Sequence, residues 1–336
     1  MNNYALVITS ISSSENKILM DYAEKAPKHG FRFIIAGDEK SPENFNLTGC
    51  EYLSLNDQLD SGFILAKHLP TRHYARKNIG YLYAMKNGAT VIIETDDDNC
   101  AKNSFWNKRE DYVQADYYEN VGWMNVYNLF SGENIWPRGF SLEHVKTVPD
   151  KNKAINKLCY CPVQQGLADE NPDVDAIYRM IFPLPFNFKK ATDVATGNNA
   201  WCPFNSQNTT WFKEAFMLMY LPSYCSFRMT DIWRSFVVQR ICWENDICIL
   251  FHHATVWQER NEHNLLTDFR DELPGYKNNH EIVQRLSTLK LQKGLTYLPD
   301  NLVTCYQLFV DMNLMDKKEL DLIHAWIKDV TDTITL

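Results

Sequence analysis

The chain has 336 residues, 45% of them hydrophobic and 23% charged, a composition typical of a folded globular protein with one large domain and a small appendage, or with two domains. A net charge of −8 argues against a nucleic-acid-binding surface, because such surfaces carry an excess of lysine and arginine. The sequence has no run of about twenty apolar residues and no basic, apolar leader. We therefore expect no transmembrane segment and a cytoplasmic location, with peripheral membrane association left open.

The nine cysteines are irregularly spaced, and no two of them form a CxxC pair. Structural zinc sites usually take cysteines in such pairs, so this spacing argues against a cysteine-based zinc site. Without an export signal, we expect the thiols to be reduced.

The first elements predicted are a strand at residues 5–11, a helix near residues 15–25 and a strand at residues 32–36. A strand, a helix and a strand in so short a segment form a right-handed βαβ unit. Thr9 lies in the polar end of the first strand and Asp38 follows the second, where an acid commonly contacts the ribose or base of a nucleotide. Both are candidate nucleotide ligands, although a loop aspartate explains Asp38 equally well. The missing GxGxxG gives a dinucleotide fold no support.

A basic segment precedes a helix that is predicted at residues 78–86. Arg76 and Lys77 lie just before this helix, and Asn78 begins it. Side-chain cations and free backbone N–H groups at a helix start can together bind a diphosphate, so all three are candidate donor-binding residues. The alternative is that the charges are simply solvated at the helix end.

A run of acids follows a strand predicted at residues 89–94, whose Val-Ile-Ile centre is typical of a strand buried on both faces. Glu94, Asp96, Asp97 and Asp98 would repel one another unless a cation lies among them. Asp96 and Asp98 project to one side of an extended chain, and their oxygens suit Mg²⁺ or Mn²⁺, with phosphate oxygens completing the coordination. We expect a metal ion to bind at Asp96 and Asp98, and we expect Asp96 and Asp97 to contact the phosphate-bearing ligand. The alternative is an acidic surface turn.

Polar residues in later loops are further candidates for binding the ligand, through phosphate oxygens or through hydroxyl groups. Arg138 lies between aromatic residues and a glycine, where an arginine is more often a phosphate or carboxylate ligand than a packing residue. Gln165 precedes a glycine that allows close backbone approach to a ligand. Asp173 and Asp175 are either acceptors for sugar hydroxyls or the N-terminal charges of a helix. Asn205 belongs to an amide- and hydroxyl-rich run suited to sugar hydroxyls, with a capping loop as the alternative.

Asp231 begins an amphipathic helix predicted at residues 232–243. A first-turn acid is stabilised by the helix dipole, and this explains the residue structurally. It is also the right kind of group for a general base acting on an acceptor hydroxyl, and we predict that role. Beyond the last strand, His252, His253 and His263 are candidates for a further metal ligand, of which we select His253.

The pattern changes near residue 271. Helical periodicities from there to the end predict a small helical C-terminal module at residues 271–336, after an α/β domain at residues 1–270.

Five segments resemble, in order, the motif blocks of the STELLO-type glycosyltransferases. They are ARKNIGYLYAMKNGATVIIETDDDN, WPRGF, VQQGLADENPDVDAIYR, PFNSQNTTW and RMTDIWRSFVVQR. The resemblance implies a GT-A (Rossmann-like) fold, a mixed, mostly parallel sheet flanked by helices, with a distant likeness to reversibly glycosylated polypeptides. It also implies a UDP-sugar donor, Mn²⁺ or Mg²⁺ at Asp96 and Asp98, donor contacts from Arg76 and residues 173–175, and an acceptor-side acid such as Asp231. The chain departs from the plant members in lacking a transmembrane anchor.

These observations predict a metal-dependent glycosyltransferase that moves a sugar from a nucleotide-sugar donor to a glycan or another hydroxyl acceptor, with a role in polysaccharide biosynthesis. Two alternatives stay open at this point. One is a nucleotide-sugar mutase or nucleotidyltransferase that uses the same metal and diphosphate site. The other is a catalytically inactive GT-A module that acts as a scaffold in polysaccharide synthesis.

Overall fold

A large mixed sheet forms the centre of the computed structural model, which describes residues 2–189, 191–259 and 264–335. The strands are β1 (Tyr4–Thr9), β2 (Phe31–Ala36), β3 (Glu51–Leu53), β4 (Val91–Thr95), β5 (Asn99–Ala101), β6 (Tyr112–Tyr118), β7 (Gly122–Trp123), β8 (Ile155–Tyr160), β9 (Val163–Asp169), β10 (Val194–Thr196), β11 (Ala200–Trp201), β12 (Asn208–Phe212) and β13 (Ile249–Gln258). The α-helices are α1 (Lys17–Lys28), α2 (Leu55–Asp60), α3 (Ile64–His68), α4 (Lys77–Lys86), α5 (Val126–Ser131), α6 (Ala176–Ile181), α7 (Thr230–Glu244), α8 (Leu265–Thr288), α9 (Leu298–Asp311) and α10 (Lys318–Thr335).

The strand order of the large sheet is β3-β2-β1-β4-β12-β9-β13-β10-β6-β8, and β5 pairs with β13. β3, β2, β1 and β4 are parallel, as the βαβ prediction requires, and β9 is parallel to β13. β12 enters between β4 and β9 and is antiparallel to both. The predicted class is confirmed: an α/β protein with a mixed sheet, flanking helices and helices at its C-terminal end.

β4 is buried on both faces because it lies inside the sheet, between β1 and β12. Its side chains alternate between two cores, as the period of a strand requires. Ile92 joins the core that contains the side chains of α4, whereas Val91 and Ile93 join the core that contains those of α1. The apolar run that predicted this strand therefore reflects helices packed on both sides of the sheet.

Glu94 faces the interior and forms a buried ion pair with Arg234 of α7. Arg234 Nη2 lies 2.7 Å from Glu94 Oε1 and Nη1 lies 3.2 Å from Oε2. Trp211 Nε1 donates to the same carboxylate at 2.9 Å, and the Tyr81 hydroxyl contacts it from α4. Glu94 is thus a core residue, and the expectation that it shares one charge cluster with the three aspartates is wrong.

The C-terminal helices pack onto the sheet domain. Asp329 of α10 accepts hydrogen bonds from the Ile64 and Leu65 N–H groups at the start of α3, at 3.0 and 2.8 Å. Trp326 Nε1 donates to the Met217 carbonyl at 2.9 Å, and apolar residues of α8, α9 and α10 belong to the same buried cluster as those of the strands. The boundary predicted at residue 270 falls inside α8. Within the described part of the chain, no helix has the length and apolar character that crossing a membrane demands.

Arg234→Met should remove the cation that compensates Glu94 and leave a buried carboxylate without its charge partner. We expect the free energy of unfolding to fall by about 3–5 kcal/mol in urea denaturation. The matched control is Arg285→Met, because Arg285 pairs with Glu281 where both side chains are half exposed, and that loss should be below about 1 kcal/mol. Equal losses in the two variants would contradict the role given to the buried pair.

Candidate active site

A cleft of about 270 Å³ opens at the carboxyl ends of β1 and β4, and its lining combines carboxylates, arginines and side-chain amides. In open α/β sheets, ligands bind in crevices at this edge. Most of the predicted site residues meet here. They are Thr9, Asp96, Asp97, Asp98, Arg138, Asp173, Asn205 and Asp231.

Each aspartate of the turn after β4 is held by a different part of the chain. Lys77 Nζ, which is buried, lies 2.7 Å from Asp96 Oδ1. Asp97 accepts hydrogen bonds from the hydroxyls of Ser10 and Ser12 in the loop after β1. The turn is therefore fixed before any ligand binds. Lys77, for which a phosphate contact was predicted, pairs with the Asp96 carboxylate.

The third aspartate is tied to the end of β13. Gln258 Nε2 donates to Asp98 Oδ2 at 3.0 Å, and the Glu259 N–H donates to the Asp98 carbonyl at 3.1 Å. Because β13 belongs to the same sheet, this contact places Asp98 at a fixed position on the floor of the cleft.

The residues of this turn fit a divalent cation. Desolvation raises the pKa of Asp96 to about 7, the charges of Asp98 and Asp97 add to the rise, and Lys77 opposes it. Lys77 contacts only one oxygen of Asp96, and 36% of that side chain stays exposed toward the cleft. The carboxylates of Asp96 and Asp98 together offer hard oxygen donors of the kind that Mg²⁺ and Mn²⁺ prefer.

His253 lies apart from this donor set, and its role as a metal ligand stays a prediction. It lies in β13, five residues before Gln258, which is about 15 Å along a strand. Among the described residues, no histidine forms a close group with Asp96 and Asp98. The neighbouring His252 is buried, which lowers its pKa to about 3. His263 lies outside the described residues.

Arg138 connects two carboxylates across the cleft. Its Nε and Nη2 atoms lie 2.8 Å from the two oxygens of Asp173, and Nη1 and Nη2 lie 3.1 Å from those of Asp231. The buried guanidinium also donates to the Arg228 carbonyl. The prediction of a phosphate or carboxylate ligand is met by the protein's own carboxylates, which leave this arginine few N–H groups for a phosphate.

Asp231 lies in the cleft, but its surroundings argue against the predicted role as general base. Burial alone would raise its pKa, but the combined effects of Arg138, Arg234 and the Ser206 N–H exceed that of burial and lower the pKa to about 2. Tyr74 donates to the same carboxylate at 3.3 Å. A carboxylate with so low a pKa and this many donors accepts a further proton poorly.

Two residues predicted to bind the diphosphate are buried away from the cleft. Arg76 donates through Nε to Gln58 Oε1 at 2.8 Å and through Nη1 to the Ala66 and Leu69 carbonyls at 3.2 Å. Asn78 exchanges hydrogen bonds with the backbone of Leu221 at 2.8 and 2.9 Å. Both side chains hold loops together outside the lining of the cleft, and a diphosphate contact from either stays a prediction.

Gln165 and Asp175 are also structural in this arrangement. Gln165 accepts from the Asn205 N–H at 2.9 Å and donates to the Gly166 and Asn208 carbonyls, so its amide is fully used. Asp175 is the N-cap of α6: it accepts from the Tyr178 N–H and from Trp136 Nε1, both at 2.7 Å. The helix-terminus alternative for Asp175 describes this geometry, and a sugar contact from Asp175 stays a prediction.

Asp38 lies at the carboxyl end of β2, outside the lining of the cleft. Its two oxygens accept from the Glu39 and His73 N–H groups at 2.7 and 2.9 Å. Its own N–H donates to Ser41, whose hydroxyl donates in turn to the Ser10 carbonyl beside the cleft. A nucleoside contact from Asp38 stays a prediction.

Seven further residues line the cleft beyond the predicted set. Ser206 and Gln207 follow Asn205 in the amide-rich run, so composition could have included them. The others become neighbours only through the fold, since a turn, the end of α6, the approach to α7 and the end of β13 supply them. The seven are Tyr74, Arg179, Ser206, Gln207, Phe227, Arg228 and Gln258.

Asp175→Ala tests whether Asp175 is structural. Burial raises the pKa of Asp175 to about 6, above the value of about 3.9 in an unfolded chain. The folded protein therefore loses stability as the pH rises from about 4 to about 6, because it then carries a buried charge. The variant lacks this pH-dependent cost but also loses the helix cap and the acceptor for Trp136, at about 2–3 kcal/mol.

We expect urea denaturation to show a larger destabilisation by Asp175→Ala at pH 4 than at pH 7. A variant that keeps the wild-type unfolding free energy at both pH values, yet binds nucleotide sugar more weakly, would return Asp175 to the ligand site.

Comparisons with known proteins agree with the motifs. Residues 228–334 match the family model of the STELLO glycosyltransferases. Two proteins of Arabidopsis thaliana, "Probable glycosyltransferase STELLO2" and "Probable glycosyltransferase STELLO1", are 28% identical over 235 and 236 residues, 64% of this chain in each case. The matched region spans 31% and 30% of the length of these relatives.

A solved structure, "Crystal Structure of a Mycobacterial Protein", superposes with a TM-score of 0.40 and 8% identity, and the match covers 83% of this chain and 75% of that one. This TM-score is too low for a functional argument. The family model and the two plant proteins together confirm the resemblance that the motifs predicted: this chain is similar to the STELLO glycosyltransferases.

Proposed function

We propose that this chain is a metal-dependent glycosyltransferase that takes a nucleotide sugar, with UDP as the favoured nucleotide, and transfers the sugar to a hydroxyl acceptor such as a glycan. The observation that carries the proposal is the placement of Asp96 and Asp98 at the carboxyl end of β4, in a cleft that also presents arginines and neutral amides. The names of the two plant relatives support the same reaction class.

The nucleoside is assigned to the part of the cleft formed by β1. Thr9 ends β1 and lines the cleft, and the loop that follows is fixed by the bonds from Ser10 and Ser12 to Asp97. β1 and β4 are adjacent and parallel, so their carboxyl ends form one continuous edge on which a nucleotide can lie.

The diphosphate is assigned to the acidic turn and the arginines near it. Asp96 and Asp98 would hold Mn²⁺ or Mg²⁺, and the bound ion would offset the charge that develops on the leaving diphosphate. Arg179 and Arg228 line the same cleft and bring positive charge near the position assigned to the phosphates, and Arg228 is also paired with Glu272 at 2.7 Å. Lys77 keeps the Asp96 carboxylate oriented.

The sugar and the acceptor are assigned to the opposite wall. Asn205, Ser206 and Gln207 present donors and acceptors without net charge, which suits recognition of hydroxyl groups. Asp173 and Asp231 lie beside them, both held by Arg138. We assign Asp231 the role of a positioning residue, because its low pKa keeps it ionised and able to accept hydrogen bonds throughout the neutral range.

Isothermal titration with UDP in the presence and absence of Mn²⁺ tests this proposal. We expect Mn²⁺ to strengthen UDP binding to the wild-type protein, and we expect Asp98→Ala to abolish that gain because the ion loses one of its two carboxylates. The matched control is Asp246→Asn, which removes an exposed carboxylate outside the cleft and should keep the full effect of Mn²⁺. Unchanged, Mn²⁺-dependent UDP affinity in Asp98→Ala would refute the assignment, provided thermal unfolding shows that the variant is folded.

A further inference from the structure

A second group of metal-ligating side chains lies where the segment after Arg138 meets α8. Glu143 and His144 belong to the short 3₁₀ turn Leu142–His144, and His280 projects from α8. One ligand atom from each of the three lies within 4.8 Å of the other two, and among the described residues no other group of His, Cys, Asp and Glu meets this condition. None of the three lines the cleft.

The two imidazoles face one another. Their rings are stacked with centroids 5.5 Å apart and planes inclined by 18°. Two imidazoles beside a carboxylate form the nitrogen and oxygen donor set that zinc-class metals take.

His280 offers an unused ligand atom. Its Nδ1 is buried and makes no hydrogen bond, and Glu143 Oε2 lies 3.4 Å away, which is long for a hydrogen bond. The other ring nitrogen, Nε2, lies 2.8 Å from the side-chain amide of Gln284. In this structure the Gln284 amide N–H donates to Nε2, so the ring proton lies on Nδ1. A metal bound at Nδ1 would move that proton to Nε2, which would then donate it to the Gln284 amide oxygen after the amide turns over.

We propose that Glu143, His144 and His280 bind a divalent transition-metal ion of the zinc class, at a site separate from the cleft and independent of the proposed glycosyl transfer. Ligand atoms around a tetrahedral Zn²⁺ lie about 3.3 Å apart, given bond lengths of about 2.0–2.1 Å. The three atoms therefore need to approach one another by at most about 1.5 Å, and the Glu143 side chain, 68% exposed, has room to do so. Three protein ligands leave one position for water.

The site would fasten the segment that carries Arg138 to α8. The two are already joined by a hydrogen bond from Asn279 Nδ2 to the Gly139 carbonyl at 2.8 Å. A metal held by the residue after Asn279 and by the 3₁₀ turn adds a second attachment a few residues away. Binding should therefore raise the thermal stability of the folded protein in proportion to metal concentration.

The test is titration of tag-free, chelator-treated protein with Zn²⁺ in the absence of nucleotide, together with visible absorption after loading with Co²⁺. We expect one Zn²⁺ per chain in the wild type, and affinity at least about tenfold weaker in His144→Asn and His280→Asn. Glu143→Gln, whose side chain is mostly exposed, tests the carboxylate without disturbing the packing. The matched control is His324→Asn on the exposed face of α10, which should bind as the wild type does.

Asp98→Asn separates this site from the cleft, and it should retain the Zn²⁺ stoichiometry and the Co²⁺ spectrum. Wild-type Zn²⁺ affinity in the two histidine variants and in Glu143→Gln would overturn the proposal. So would loss of Zn²⁺ binding in Asp98→Asn, because the ion would then lie in the cleft.

Discussion

The structure depends on compensating the acids at the end of β4. Glu94 faces the core, whereas Asp96, Asp97 and Asp98 lie at the cleft, so the fold must compensate one buried charge and offset the repulsion among the three aspartates. A different element stabilises each carboxylate. The partners are Arg234 of α7 for Glu94, Lys77 of α4 for Asp96, the hydroxyls of Ser10 and Ser12 after β1 for Asp97, and Gln258 of β13 for Asp98. The end of β4 is thereby attached to both neighbouring helices and to both halves of the sheet, which makes it a rigid platform for a ligand.

A second charged group fixes the facing wall of the cleft. Arg138 joins Asp173 and Asp231, which come from segments far apart in sequence, and its own backbone belongs to the turn that leads toward α8. Because guanidinium and carboxylates are almost completely buried, moving any one of them would leave a buried charge uncompensated. The walls of the cleft are therefore preorganised, and binding energy need not be spent on ordering them.

The sequence predicted the parts of this arrangement that follow from periodicity and strand ends. The βαβ unit, the buried strand β4 and the position of Asp96 and Asp98 at its carboxyl end all required only the apolar pattern and the rule that ligands bind at that edge. The gathering of Asp173, Asn205 and Asp231 around the same cleft was expected from motif resemblance and residue chemistry, whereas their pairing with Arg138 was not, since no local pattern encodes a contact across 93 residues.

The predicted site residues that lie away from the cleft were not distinguishable in the sequence, for a different reason. Arg76 and Lys77 are adjacent, and a helical turn of about 100° per residue sends Arg76 toward Gln58 and Lys77 toward Asp96. Polar groups that support loops, such as Gln165 and Asp175, have the same composition in sequence as polar groups that bind ligands, and only the positions of their hydrogen-bond partners distinguish them. The position of His253 along its strand fixes the distance of this residue from the acidic turn. The types of residue in the strand do not by themselves reveal that distance.

The most direct test of the central claim is a screen of nucleotide sugars for release of the nucleotide by the purified chain, with Mn²⁺ and with a chelator. The account predicts that at least one nucleotide sugar, a UDP-sugar first, releases its nucleotide faster with Mn²⁺ than with the chelator, and that a suitable hydroxyl acceptor increases the rate. Release that never exceeds the chelator background for any nucleotide sugar, although UDP binds in a metal-dependent way, would contradict it and would favour a binding module without catalysis.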